Sequence, residues 1–294
     1  HLIERKAMTS AVALNSSLWQ GTRIVAPAVA GVAIATVGTA ASFYLAALGF
    51  ATMAVVMYRL RIPPIQRIAT KSVARDMIEG LIYIKNNPSF SFLMSMTFFN
   101  SFFGMAYVVM MPVFADDILH QGASAYGVLL SASGVGALIT TAYLGSRGSF
   151  RHRGLLLIGG ATLFGLAIVA FALTSAYLRI YPLALALMFA IGVFNSSYMI
   201  SIQSSLHIMV PDVMRGRVMG FFSMTHSIAP LGGMQAGAMA SLVGVPLAIA
   251  MGGLAVSAFA LGPALINRNV RGLGDLAQRI EVQASANHQP APLR

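Results

Sequence analysis

Apolar residues run almost without a break from 181 to 209, interleaved with Asn195, Ser196, Ser197, Gln203 and His207, and resume from 221 to 243. A hydrocarbon core ~30 Å thick needs about 20 apolar residues per helix, so each run is long enough to cross it. Six further runs share this character: 15–37, 39–58, 89–114, 124–145, 154–176 and 246–266. The pattern predicts an all-α, polytopic membrane helical bundle of eight spans. Between the runs 181–209 and 221–243 lies Pro211-Asp212-Val213-Met214-Arg215-Gly216-Arg217-Val218-Met219-Gly220, which reads as a short loop with two arginines.

The longest polar stretch, 59–88, holds six basic residues, and Pro63-Pro64 interrupts any continuous helix there. Within it Val73, Met77, Leu81 and Ile84 recur at helical spacing, and Thr70 or Ser72 can cap the turn before them. An amphipathic surface helix of about four turns is predicted. Pro88 suits the first turn of the span that follows. The chain therefore divides into 1–58 with two spans, a linker at 59–88, a six-span bundle at 89–267, and a polar tail at 268–294. The composition of that tail predicts disorder.

Composition agrees with immersion in lipid. Charged residues make up 9%, against ~25% in soluble chains, and 57% of residues are hydrophobic. Mean hydropathy is +0.77. A net charge of +11 would suggest nucleic acid in a soluble protein. Here the basic residues lie between spans, so lipid headgroups are the expected partner and nucleic acid is not. Of 19 Lys and Arg, 17 fall on one side of the bilayer together with both visible ends, Arg179 falls on the other, and Arg23 lies within a span. The positive-inside rule makes both ends cytoplasmic. There is no cysteine, which excludes disulfide and thiolate chemistry. A His-Glu-x-x-His pair, a phosphate-binding Gly-Lys loop and a serine elbow are missing too, which argues against ATP hydrolysis and implies no cofactor.

A shift of 206 residues aligns the first two spans with the last two. Met8 meets Met214, Val12 meets Val218, Ser17 meets Ser223, Ala30 meets Ala236, Gly31 meets Gly237 and Gly38 meets Gly244. Repeats of like orientation joined by a basic linker suit a transporter built from two parallel halves. With two spans before the linker and six after it, the chain resembles the major facilitator superfamily. The segment 211–220 and the following Ala229-Pro230-Leu231-Gly232 are similar to the loop and helix after helix ten in the enterobactin-exporter-type, transmembrane secretion effector branch. Residues 11–15 with Arg23, Pro27 and Gly31 resemble its helix five, and 112–115 with 122–127 resemble its loop after helix seven. The resemblance implies eight spans of a twelve-helix fold whose helices one to four are missing from a chain that opens on His1. Two motifs depart from the family pattern. Ala26-Pro27-Ala28-Val29-Ala30-Gly31 stands where an antiporter motif has Gly-Pro and paired glycines, and Ser146 precedes Arg147 where an Asp is common.

Candidate residues follow from helical faces. Met96, Asn100, Phe103, Gly104 and Tyr107 share about 100° of one face, and Asn195, Ser196, Met199, Gln203 and His207 about 120° of another. By resemblance these belong to helices seven and ten, which line the central cavity. Asn100, Phe103, Tyr107, Asn195, Met199 and Gln203 are therefore the expected substrate contacts: a deformable apolar wall with amides to orient a guest. Interhelical packing accounts for the same residue types, since Asn and Ser bond across membrane helices. Arg23, His226, Arg215 and Arg217 are the candidates for coupling or gating. Arg23 either meets a substrate or acidic partner at depth or snorkels to the surface. His226, about nine residues beyond Arg217, can titrate near neutrality, and H+ is the expected coupling ion.

The function expected is secondary active export of a small amphipathic molecule, siderophore-like or drug-like by resemblance, through alternating access. One alternative is a membrane enzyme using a metal at Asp116, Asp117 and His120 in an outside loop. The other is a scaffold that transports nothing.

Overall fold

The structure is a computed structural model that describes Thr22 and residues 40–59, 73–146 and 153–266. The first predicted span apart from Thr22, with Arg23 and the six matched positions of the first repeat copy, most of the linker before Val73 and the polar tail lie outside the described residues. All regular structure described is helical. Helix α1 covers Ala40–Arg59. It is followed by α2 (Val73–Asn86), α3 (Pro88–Phe99), α4 (Ala106–Val113), α5 (Gly122–Ser146), α6 (Arg153–Tyr177), α7 (Tyr181–Met209), α8 (Asp212–His226), α9 (Ala229–Val243) and α10 (Val245–Ile266). Among the described residues six helices are long and apolar enough to cross a membrane.

Those six correspond to six of the eight predicted runs. The seventh run, expected as one helix from 221 to 243, is divided within itself, and the loop before it is shorter than expected. The segment 211–220, expected as a loop, is helical from Asp212, and α8 continues to His226 before the chain turns at Ser227 and Ile228. Pro230 explains the division. Its ring excludes the carbonyl four residues back, that of His226, and it has no N–H to donate, so a helix through this point is interrupted. Gly216 alone does not stop α8, because a single glycine costs only about 1 kcal/mol.

The third run is longer than expected. It extends to Ile118 as one span, with π-helical segments at Asn100–Gly104 and Phe114–Ile118. In each, an N–H reaches back five residues: Met105 donates to the Asn100 carbonyl at 2.9 Å and Leu119 to the Phe114 carbonyl at 3.0 Å. Asp116 and Asp117 thus sit on the last turn of a helix rather than in a loop.

Helices α5, α6, α7 and α10 form a tightly packed block whose contacts run through glycine. A Cβ on Gly136 would strike the Phe189 carbonyl, and one on Gly192 the Ser133 carbonyl, which fixes α5 on α7. Gly160 lies against the Tyr198 amide on α7, and Gly165 faces Gly253 on α10. Small residues bring membrane helices together because lipid supplies little hydrophobic drive for their association. By contrast α1 is exposed from Phe43 to Arg59.

The buried side chains fall into two apolar cores. One holds Tyr107, Met111, Phe164, Ile168, Met188 and Val256. The other holds Leu93, Met96, Leu157, Tyr198, Ile202 and Ala260.

Candidate functional site: a polar layer beside a broken helix

Between the two cores each of four helices places buried polar residues. Along α3 the sequence passes from Leu93 and Met96 through Thr97, Asn100 and Ser101 to Ala106 and Tyr107. Along α7, which runs the opposite way, Met188 and Ile191 give way to Asn195 and Ser196 and then to Tyr198 and Ile202. Thr162 on α6 and Ser257 on α10 occupy the same position between cores. Hydrogen bonds tie this layer across helices. The Tyr198 hydroxyl donates to Thr97 Oγ1 at 3.4 Å, and Ser257 Oγ donates to the Thr162 carbonyl at 2.9 Å.

The helical rise places the two predicted asparagines at one depth. Counting from the Thr97–Tyr198 contact, Asn100 lies three residues along α3 and Asn195 three residues back along α7, so each is ~4.5 Å further toward the same end of the bundle. Asn100 is fully buried and Asn195 nearly so. Among the described residues neither amide atom of Asn100 has a hydrogen-bond partner, nor does Asn195 Oδ1 or Thr162 Oγ1. Leaving such a group unpaired costs about 1–3 kcal/mol, more than packing alone has reason to tolerate.

The layer adjoins the two interruptions in the spans. Asn100 opens the first π segment, and Ser101 in its second position lies 3.3 Å from His226 Nδ1, the last residue of α8. Past the break, Gly232 packs so closely on Phe102 that a Cβ would meet its carbonyl oxygen. The Phe222 and His226 rings stack at 6.5 Å with 8° between planes. On the other side of the π segment, Gly104 leaves room for the Phe164 ring, which a Cβ would approach to 2.7 Å. A π turn and a broken helix, both irregular, therefore meet at one depth.

The remaining predicted residues disperse around this centre. Phe103 is half-buried with its ring 5.5 Å from that of Phe99, and Tyr107 is buried edge-on against Phe164. Met199 is half-buried against the second core, and Gln203 is exposed. Arg217 lies far from the layer in sequence and pairs with Glu79 on α2 at 2.8 Å. The side chains of Arg215 and His207, and all of Arg23, fall outside what is described.

Asp116, Asp117 and His120 are all exposed, and His120 takes a left-handed conformation with φ 53° where the span ends. Among the described residues no three His, Cys, Asp or Glu side chains come together to hold a metal ion. Sequence reasoning missed Ser101, Thr97 and Glu79. Each acquires its role from a partner more than a hundred residues away, and a single serine or glutamate gives no signal of that.

A family model described as transmembrane secretion effector matches residues 1–292 of the 294. No curated protein matches the chain.

Proposed function

The chain belongs to the transmembrane secretion effector family of the major facilitator superfamily, and from that membership we propose that it exports a small amphipathic molecule by alternating access. It is a membrane protein with several spans and the transport role of its family. The observation that carries the finer reading is the buried polar layer, where among the described residues the Asn100 amide and Asn195 Oδ1 lack partners, beside a π turn and a broken helix. Discontinuous helices at mid-membrane depth are where secondary transporters bind cargo and coupling ions. Asn100 and Asn195 supply the polar anchors, and Phe103, Tyr107 and Met199, in or against the cores to either side, supply apolar contacts once the site opens, with Gln203 exposed further along α7, the composition of a site for a drug-like or siderophore-like guest.

Because Asn100 is sealed in this conformation, cargo reaches it when the π segment and the break at Ser227 and Ile228 rearrange. His226 is poised to register a proton at that hinge through Ser101, with H+ as the coupling ion. The basic end of the bundle, with Arg215 and Arg217, faces the cytoplasm.

Full-length protein in liposomes, given an imposed pH gradient and no ATP, should accumulate a bulky aromatic amphiphile against its concentration. If neither a proton nor a sodium gradient moves any compound in a broad screen, the export reading fails and a scaffold role replaces it.

A further inference from the structure

The short helix α2 has two faces of different character. One is docked on the bundle. Gly80 lies where a Cβ would come within 3.2 Å of Arg217 Cβ and 3.3 Å of the Phe221 ring, and Ile84 is buried in the second core with Phe222 and Val218. At the edge of this face Glu79 pairs with Arg217 at 2.8 Å. The other face carries Met77, Ile78, Leu81 and Ile82, which are 44%, 57%, 53% and 51% exposed. At 100° per residue these four span about 140° of arc, with Lys85 within it. Four half-exposed aliphatic side chains on one short helix need an apolar neighbour, and no described element covers them.

The position of α2 identifies that neighbour. A single residue, Asn87, separates α2 from the spanning helix α3. The corner between them is fixed: Asn87 Nδ2 donates to the Tyr83 carbonyl at 2.7 Å, and Ser91 Oγ donates to the Ile84 carbonyl at 2.8 Å. Helix α2 is thus held at the level where α3 leaves the bilayer. The segment 59–88 around it carries six basic residues against two acidic ones.

We propose that α2 is an interfacial helix that rests its aliphatic face in the headgroup region of an anionic bilayer, while Glu79 and Gly80 latch its opposite face to α8. Lys85 extends from the buried stripe to the phosphates, as basic side chains at such interfaces do. The ion pair sets the roll of the helix. Charge reversal at Glu79 or Arg217 turns the aliphatic stripe away from lipid. This inference needs only that the chain spans a membrane, so it stands or falls apart from the export reading.

These 294 residues contain no cysteine, so a single label introduced into them reports one position. Nitroxides at Ile78→Cys, Leu81→Cys and Ile82→Cys, with Asn86→Cys as reference, are placed in full-length protein in phosphatidylcholine vesicles containing phosphatidylglycerol. The three stripe labels should collide with oxygen several-fold more than with a water-soluble nickel chelate, and the reference should show the reverse. Removing phosphatidylglycerol should lower the stripe ratio. Glu79→Arg or Arg217→Glu should lower it as well, and the two together should restore it. Stripe labels open to nickel would overturn the proposal, as would labels shielded from both reagents, which would mean that protein covers the stripe. Ratios unchanged by either charge reversal would overturn the latch.

Discussion

The block of α5, α6, α7 and α10 and the seam formed by α3, α4, α8 and α9 are built on opposite plans. In the block, helices run unbroken and backbone touches backbone through Gly136, Gly192, Gly165 and Gly253. Such contacts have one geometry and resist sliding. In the seam, one span carries a π turn beside the polar layer and a second at its end, and the other is severed before Pro230, so backbone hydrogen bonds are rearranged. The two are joined by the polar layer, in which, among the described residues, both amide atoms of Asn100 and Oδ1 of Asn195 lack partners. In the proposed transport cycle the block is the fixed body and the seam the part that moves, with the guest's polar groups received where they meet.

The largest expected effect comes from prying the block open. Gly192→Val drives a side chain into the Ser133 carbonyl and should cost 3 kcal/mol or more, an approximate upper value for overpacking, so the protein should fail to reach the membrane as a monodisperse species. Fluorescence-detected size-exclusion in detergent reads this directly. Normal folding of that variant would mean the block is no stiffer than the seam.

The polar layer separates stability from function. Asn100→Leu replaces an unpartnered amide by an apolar side chain of similar shape, and should leave the melting temperature unchanged or raise it by the equivalent of about 1–2 kcal/mol. The same variant should lose most gradient-driven transport. Asn100→Ala and Asn195→Ala should each weaken cargo binding about tenfold, the loss of roughly one hydrogen bond at 1.4 kcal/mol, measured by titration of the purified protein. A strong drop in melting temperature for Asn100→Leu would instead assign the amide a structural role.

The latch on α2 should matter less. Both side chains of the Glu79–Arg217 pair are partly exposed, so Arg217→Ala should cost under ~1 kcal/mol of stability at ordinary salt. A thermal melt that falls further would show the pair to be part of the fixed body. The smallest effect is expected for Asp116, Asp117 and His120, exposed at the far end of the span. Replacing all three by Asn or Ala should leave transport at near its starting rate, and its loss at equal membrane abundance would revive the metal-enzyme reading.

What was legible in the sequence follows the same division. Long apolar runs specify membrane helices because lipid leaves no other way to satisfy the backbone, and α5, α6, α7 and α10 lie within a few residues of their predicted runs. The helical spacing of Val73, Met77, Leu81 and Ile84 likewise located α2. The seam was harder. Hydropathy is blind to a π turn, so Asn100 gave no sign that the helix widens there. The run 221–243 read as one unbroken span and 211–220 as a loop, whereas the helix begins at Asp212 and Pro230 breaks it. The asparagines stood out as polar residues in apolar runs. That they are sealed between two cores depends on helix rotation, which is set by close contacts such as Gly232 on Phe102 that no local pattern encodes.

Hydrogen–deuterium exchange of the protein in lipid nanodiscs, with and without a transported aromatic amphiphile, tests the division between body and seam most directly. Amides of 100–105 and 227–232 should exchange measurably without cargo and slow several-fold when it binds, while those of 157–171 and 184–198 stay protected throughout. Equal protection of both regions, unchanged by cargo, would contradict a seam that moves and receives the guest.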